Sequence, residues 1–389
     1  ILFDNLPIDG PDDPSDSADL YDLIASFKQK AALPADFNPT VSELLDFFDK
    51  YATLVNLPGF MPYFKNKTGG DKKILENESI QRVLNCKDSA SFYAAKKIVR
   101  EQRFNPGLYT DLVASLREIK TPEEMDLLRK SIEISSIAHA EAMKAIEPGM
   151  SELELQGLQE YVHKKLGAEY VGYPSIVGSG ENGCILHYEE NTRMHIGAGD
   201  MVLMDVGAEY HGYSADVTRT VPATGKFTPN QKAIYNLVYE AQEAVMKLCR
   251  EGTPFAALNE KATEVLANGL LKLGIIKNKE EVVRYYPHGC SHFLGLDVHD
   301  AGNYDQNLRE NMVITVEPGI YIPSNSDCDK KWWGIAVRIE DDVRVGKQMP
   351  ELLSYLAPRK AEDVEKMAAQ KSALNNLVLP ALPAAKKGF

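Results

Sequence analysis

The sequence has little of what marks several specialised classes of protein. Its 389 residues include five cysteines, an odd number without a CxxC pair, which argues against a disulfide framework and favours a reducing compartment. No apolar run approaches the roughly 20 residues needed to cross a bilayer, and no basic segment leads into an apolar one at the start. We therefore expect a cytoplasmic protein that is not inserted in a membrane.

Basic residues are also in short supply. The chain has 43 Lys and Arg against 56 Asp and Glu, a formal net charge of −13, which is the wrong sign for binding a phosphate backbone or an anionic membrane. The hydrophobic share of 44% and the charged share of 25% are those of a globular chain with a sizeable core. No nucleic-acid partner is expected, and at the usual size of about 150 residues per domain the length predicts two domains, with three as the alternative.

Helix starts are marked by a Ser or Thr cap followed three residues later by Glu or Gln. This pairing occurs at Thr121 with Glu124, Ser151 with Glu154 and Thr228 with Gln231. A further helix is expected after Pro254, and the first of these helices should bury an apolar face. That face is predicted to contain Leu127, Leu128, Ile132, Ile134 and Ile137.

Strand-like segments follow the helices in two groups. The first group covers residues 201–207 and 213–221, which form a predicted hairpin, and the second covers residues 312–322 and 334–345. The order is helix, helix and an acid-bearing β-pair, and then the same again. Two similar halves around one site would follow if they pack face to face.

Four carboxylates interrupt these strand-like segments. Asp205 shares a strand face with Met201 and Leu203, where an unpaired ionised carboxylate would cost several kcal/mol. The others are Asp216, Glu317 and Glu340. Each alone could be a strand end, a turn or a solvated edge, but together they need a counter-charge. Oxygen-rich sites suit divalent cations such as Mn²⁺.

Three of the eight histidines, His288, His292 and His299, fall within twelve residues and are interleaved with glycines, which favours a site. The loop-like setting and the missing Glu exclude an HExxH zinc helix. His187, in a Gly- and Asn-rich loop, is a fourth candidate. Cys290 is interpreted as a small packed residue, and four histidines are interpreted as core or surface residues: His139, His163, His195 and His211.

The segments SGENGCILHYEEN and GIAVRIEDD, with the acids and histidines above, resemble the aminopeptidase P and prolidase family of metallopeptidases. The resemblance runs from about Ile119 to Ala368. It implies an α/β (α+β) chain whose C-terminal catalytic domain, residues 119–370, has the pseudo-two-fold pita-bread fold. Residues 1–118 would be a smaller, incomplete N-terminal α/β domain, and residues 371–389 a tail.

The resemblance also implies the site. Two divalent ions, Mn²⁺ before Co²⁺ or Zn²⁺, would be bound by the five ligands of the family. The matching positions are Asp205, Asp216, His292, Glu317 and Glu340. The implied catalytic residues are His187, His299 and Glu317, and the implied substrate-binding residues are His288, Tyr321 and Arg338.

The expected function is a dimetal aminopeptidase that releases the first residue from peptides with proline in second position. The two segments quoted above and the short stretch between Tyr321 and Arg338 favour this over the alternative, a prolidase restricted to dipeptides. A non-catalytic module that binds peptides is a third hypothesis, against which the complete ligand set argues. The expected partners are such peptides and further copies of the chain, in a homodimer or a higher homo-oligomer.

Overall fold

The structure of the protein, a computed structural model, describes residues 106–372 and residue 374. The predicted N-terminal domain, residues 1–118, therefore lies outside the described residues up to position 105. Of the predicted tail, only residues 371, 372 and 374 are described. No helix within the described residues is both long enough and apolar enough to span a bilayer.

The described residues form six α-helices. They are α1 (Pro106–Arg117), α2 (Pro122–Ala145), α3 (Glu152–Leu166), α4 (Pro229–Met246), α5 (Ala256–Lys272) and α6 (Ala361–Ala368). The predicted caps of α2, α3 and α4 are confirmed. In α2 and α4 the capping Thr and the Glu or Gln three residues later bond each other's backbone N–H, which satisfies two donors that the helix leaves open.

The predicted apolar face of α2 is wrong for one residue, Ile137. Leu128, Ile132 and Ile134 are fully buried, but Ile137 is 36% exposed. Ile137 follows Leu128 by nine residues, about two and a half turns at 3.6 residues per turn, and so points to the opposite side of the helix. The other buried residues of the helix lie on the remaining sides of its circumference and include three serines and a histidine, Ser131, Ser135, Ser136 and His139.

The described strands are short. They are β1 (Tyr170–Val171), β2 (Ile176–Ser179), β3 (Met201–Asp205), β4 (Ala208–Tyr210), β5 (Tyr213–Ser214), β6 (Thr218–Pro222), β7 (Val313–Val316), β8 (Gly319–Ile322), β9 (Ile335–Arg338), β10 (Asp341–Arg344) and β11 (Glu351–Leu352). All the pairings between them are antiparallel. Short 3₁₀ helices lie at Gly180–Cys184, Lys279–Arg284 and Lys330–Trp332.

Eight of these strands form two interrupted hairpins, which are called the first and the second ribbon. In the first ribbon, β3 pairs with β6 and β4 pairs with β5 around a turn at His211 and Gly212. Both turn residues have positive φ, 50° and 83°, as a two-residue hairpin turn of the primed type requires. In the second ribbon, β7 pairs with β10 and β8 with β9. Each long strand of both ribbons breaks once, midway.

The order of elements confirms the predicted repeat. Helices α2 and α3 pack together and precede the first ribbon, and helices α4 and α5 pack together and precede the second. One large apolar core joins the helices to both ribbons. The ribbons meet at their breaks, where the Glu340 N–H donates to the Thr218 carbonyl over 3.1 Å. This contact brings the two sets of carboxylates together.

Candidate metal centre

All four carboxylates of the sequence pattern lie at the breaks in the two ribbons. Asp205 is the last residue of β3, and Asp216 lies between β5 and β6. Glu317 directly follows β7, and Glu340 directly precedes β10. The side chains of Asp205, Asp216 and Glu340 are buried, and that of Glu317 is half-buried. At each break the backbone leaves the regular hydrogen-bonded pairing of the strands. The acidic side chains of both ribbons can therefore point towards one another.

Three of the five predicted ligands form a compact cluster. One ligand atom each from Asp216, His292 and Glu340 lies within 4.8 Å of the other two. His292 Nε2 is 3.2 Å from Asp216 Oδ2 and 3.4 Å from Glu317 Oε1, which adds the fourth predicted ligand. His292 Nδ1 is 2.9 Å from the Phe293 carbonyl and donates to it, so Nε2 is the nitrogen that faces the carboxylates.

The fifth predicted ligand, Asp205, joins the cluster through its neighbours. Its Oδ2 accepts a bond of 2.6 Å from Arg338 Nη2, and its Oδ1 lies 2.5 Å from the Tyr173 hydroxyl. The same hydroxyl is 2.8 Å from Asp216 Oδ1. Tyr173 therefore connects the two aspartates, although Asp205 is not part of the compact three-residue group.

The electrostatics of the cluster call for a cation. Burial, together with the charge of the neighbouring Asp216, raises the pKa of Glu317 to about 7 and that of Glu340 well above its usual range. The pKa of Asp205 is also raised by burial. For Asp216 burial acts in the same direction and is the largest single effect, but His292, Tyr173 and Arg338 together outweigh it and the pKa is lowered.

These residues fit divalent ions. Four carboxylates and one imidazole are an oxygen-rich donor set of the kind that Mn²⁺ and similar cations prefer, and bound positive charge would offset the repulsion that raises the carboxylate pKa values. Without such charge, burial lowers the pKa of His292, but Asp216 and Glu317 overcome that effect and bring it to about 9.

The predicted substrate-binding residues form a chain beside the cluster. His288 Nε2 lies 2.9 Å from the Tyr321 hydroxyl, which accepts a bond of 2.8 Å from Arg338 Nη1. Arg338 in turn holds Asp205. His288 Nδ1 is also 3.8 Å from Glu317 Oε2. The three residues thus reach two of the predicted ligands, Asp205 through Arg338 and Glu317 through His288.

The two predicted catalytic histidines lie at the exposed side of the cluster. The His299 ring stands nearly perpendicular to the His292 ring, with 4.5 Å between centroids. His187 is exposed and follows the 3₁₀ helix Gly180–Cys184. Burial lowers the pKa of His288 to about 4 and also lowers that of His299, and the proximity of His187 contributes to both shifts.

Sequence reasoning missed several residues that hold the ligands. Thr218 Oγ1 donates to Glu340 Oε2 over 2.6 Å. The fully buried Arg219 donates to the Glu340 carbonyl and to Asp341 Oδ1. Thr218 could have been found, because it is the register partner of Asp205 in the predicted hairpin. Tyr173 and Arg219 carried no such signal.

Four histidines and Cys290 were interpreted from the sequence as core or surface residues, and the structure gives them such environments. His139 is buried with its Nε2 3.1 Å from the Val206 carbonyl, and His163 is buried as well. His195 and His211 are exposed. Cys290 is buried, and burial raises the pKa of its thiol, which leaves it a poor nucleophile.

Comparison with known proteins shows the family of the chain. Residues 126–347 match the model of metallopeptidase family M24. A Xaa-Pro aminopeptidase from Escherichia coli is 42% identical over 273 residues, which are 67% of this chain and 62% of that protein. The mitochondrial intermediate cleaving peptidase 55 of Arabidopsis thaliana is 38% identical over 66% of this chain and 52% of its own length. The chain thus spans less than two thirds of either relative.

Solved structures support the same fold. A zinc-substituted Escherichia coli aminopeptidase P in complex with product aligns with a TM-score of 0.65 and 38% identity over 72% of this chain and 68% of that one. The two ribbons with their helix pairs therefore have the pita-bread fold that the sequence predicted. With more than half of its length matched by the family model, the chain belongs to metallopeptidase family M24.

Proposed function

We propose that the chain is a dimetal Xaa-Pro aminopeptidase, with residues 119–370 as its catalytic domain. The observation that carries this proposal is the convergence of Asp216, His292 and Glu340 next to the His288–Tyr321–Arg338 chain. The first group suits metal-assisted hydrolysis, and the second supplies a wall that can select the residue after the scissile bond. Peptides that begin Xaa-Pro are the proposed substrates.

We assign two divalent ions to the five side chains Asp205, Asp216, His292, Glu317 and Glu340, with Mn²⁺ as the first candidate and Co²⁺ or Zn²⁺ as alternatives. Bound ions of this kind supply Lewis-acid activation of water and of the scissile carbonyl. The protein keeps their ligands in place. Arg338 and Tyr173 orient Asp205, Thr218 orients Glu340, and the Phe293 carbonyl sets the tautomer of His292.

The remaining steps fall to side chains at the exposed edge. His299 and His187 would donate hydrogen bonds to the carbonyl oxygen before proline as negative charge develops on it. Glu317 would accept a proton from the attacking water and deliver it from Oε to the proline nitrogen. That nitrogen carries no hydrogen in an Xaa-Pro bond, so it must receive a proton before it can leave as a neutral amine.

The hydrogen bonds of Arg338 favour an aminopeptidase over a dipeptidase. A dipeptidase must recognise the carboxylate that directly follows proline, and a buried Arg is the natural cation for that purpose. However, all three guanidinium nitrogens of Arg338 are engaged. Nε donates to Thr218 Oγ1 over 3.1 Å, Nη1 to Tyr321 and Nη2 to Asp205. This arrangement favours a site that does not read a free C-terminus.

The short connection between β8 and β9 agrees with an open site. It begins at the Ile322–Ile335 pair, three residue pairs along the hairpin from Gly319 and Arg338. At about 3.3 Å per residue, this places the connection roughly 10 Å from Arg338 along the strand direction. Trp332 within it is buried against the core and does not extend as a cap.

The test is a kinetic series under one metal condition. Metal-stripped protein would be refilled with Mn²⁺, Co²⁺ or Zn²⁺ and given matched Xaa-Pro peptides of two, three and five residues, with Xaa-Ala-Xaa as the control. We expect kcat/KM for the longer Xaa-Pro peptides to be at least equal to that for the dipeptide. A steep fall beyond two residues would assign the chain as a prolidase, and metal binding without hydrolysis would favour a non-catalytic peptide-binding module.

Two broader proposals rest on composition and resemblance. With its net charge of −13 and the free thiols of the four cysteines among the described residues, the chain is proposed to act in the cytoplasm without a nucleic-acid partner. A homodimer or higher homo-oligomer is proposed from the family resemblance. Light scattering across a concentration series would test the oligomeric state, and a monomer throughout would contradict it.

A further inference from the structure

The loop that carries His299 is closed by its own backbone. The Asp300 N–H donates to the Phe293 carbonyl over 2.9 Å, and the Gly295 N–H donates to the Asp297 carbonyl over 3.1 Å. Phe293 directly follows the ligand His292, so the closure places His299 beside the His292 ring. The position of His299 therefore depends on the point where Asp300 returns to the start of the loop.

The Asp300 carboxylate is fixed by two cations from outside the loop. Arg117 Nη2 contacts Asp300 Oδ1, and Lys120 Nζ lies 3.6 Å from Oδ2. Only 1% of the Asp300 side chain and 2% of the Lys120 side chain are exposed. A Cβ on Gly295 would lie 2.2 Å from Asp300 Oδ2, so the loop backbone closes directly over the carboxylate and leaves it no room to move.

The same short segment, residues 117–120, also holds the chain that follows the loop. Glu118 is 2% exposed and accepts bonds of 2.5 Å from the Asn303 N–H and 2.6 Å from Gln306 Nε2. Ion pairs buried this deeply recover little net stability, because both charges lose their hydration. Three charged side chains of this four-residue segment, Arg117, Glu118 and Lys120, point towards the His299 region. A role in fixing the geometry of that region accounts for them better than a contribution to stability does.

We propose that Asp300, held by Arg117 and Lys120, is the positioning residue that sets His299 against the substrate carbonyl. This inference rests on the proposed function, in which His299 donates to that carbonyl. Asp300 itself contacts neither the metal ligands nor the reacting bond. A displacement of about 1 Å in a catalytic group can cost up to a hundredfold in rate, so a loosened loop should lower kcat without releasing metal.

Asp300→Asn is the primary variant, because it removes the charge and keeps the shape. We expect kcat to fall by about tenfold to a hundredfold, with KM and bound metal unchanged. Asp297→Asn is the matched control, since Asp297 lies in the same loop and also contacts Arg117, but 66% of its side chain is exposed. It should leave kcat unchanged.

A double-mutant cycle separates positioning from a general structural role. In a His299→Ala background, Asp300→Asn should have no further effect on kcat, because its influence passes through the ring that has been removed. An equal loss in both backgrounds would overturn the proposal. If Asp300→Asn leaves Lys120 unpaired and the chain fails to fold, Lys120→Met combined with Asp300→Asn removes both charges and answers the same question.

A second readout is independent of activity. In metal-free protein labelled at histidine, the NMR signals of the His299 ring should move in Asp300→Asn and stay in place in Asp297→Asn. If the unaltered chain cleaves no Xaa-Pro peptide, the proposed function fails, yet these signals still test the positioning. Unchanged His299 signals in Asp300→Asn would overturn it.

Discussion

The Tyr173 hydroxyl gives the sharpest test of how the ligands are held. It lies 2.5 Å from Asp205 Oδ1 and 2.8 Å from Asp216 Oδ1, and its single hydrogen can serve one of them at a time. The ring is wedged against Gly207, where a Cβ would lie 2.7 Å from Tyr173 Cε1. Phenylalanine should therefore keep the ring in place and delete only the hydroxyl.

The expected loss follows from the kind of bond removed. A hydrogen bond to a charged group contributes about 1.5–3 kcal/mol, and a buried carboxylate that loses its donor cannot recover it from water. At about 1.4 kcal/mol per factor of ten, Tyr173→Phe should weaken divalent-metal binding by roughly tenfold to a hundredfold. The cause is that Asp205 and Asp216 lose the group that orients them together.

The assay is competition for Mn²⁺ between the metal-stripped chain and a fluorescent chelator. Tyr188→Phe is the matched control, because the Tyr188 hydroxyl donates to Glu152 Oε2 over 3.0 Å, away from the metal ligands. It should bind Mn²⁺ as the unaltered chain does. Equal Mn²⁺ affinity of Tyr173→Phe and the unaltered chain, with both folded, would refute the assigned role of Tyr173.

Three further predictions concern the ligands, the proposed oxyanion donor and the helical core. Replacing Asp216 or Glu340 by Ala should abolish hydrolysis and reduce the metal counted by atomic absorption; full activity in either variant would contradict a two-ion site. His299→Ala should keep its metal yet lose about a hundredfold in kcat, and a parallel loss of metal would make His299 a ligand instead. Burial lowers the pKa of His163 to about 4, and neither ring nitrogen has a hydrogen-bond partner among the described residues. Because only the unfolded chain takes up this proton as pH falls below about 6.5, the contribution of His163 to the unfolding free energy should drop by roughly 2–3 kcal/mol between about pH 7 and 4.5. His163→Leu should reduce that drop in urea titrations, and an identical drop would contradict the assignment.

Local features of the fold could be predicted from the sequence. The caps at Thr121 and Thr228 were predictable because each involves residues three positions apart, and the turn at His211 and Gly212 lies between two alternating segments. The breaks in the long strands were not predicted. Residues 312–322 and 334–345 were each predicted as one strand-like segment, and only the pairing of β7 with β10 and of β8 with β9 shows that each segment contains two strands.

The residues of the site also include some that could be predicted from the sequence and some that could not. The four acids were identified from residue type and order, and His292 was added as a ligand by the family resemblance; the structure brings four of these five residues into direct proximity, with Asp205 joined through Tyr173. The residues that support them come from distant parts of the chain. Arg219 and Asp341 are both fully buried, and a buried charge pair of this kind is visible only once the two ribbons are packed.

The most direct test of the central claim is a titration of the metal-stripped chain with Mn²⁺ while release of the first residue from an Xaa-Pro-Xaa tripeptide is measured. The five-ligand site predicts that the initial rate rises until two equivalents of Mn²⁺ are bound per chain and then stays level. A plateau at one equivalent would contradict the two-ion site. Release that does not depend on metal would contradict the metal centre altogether.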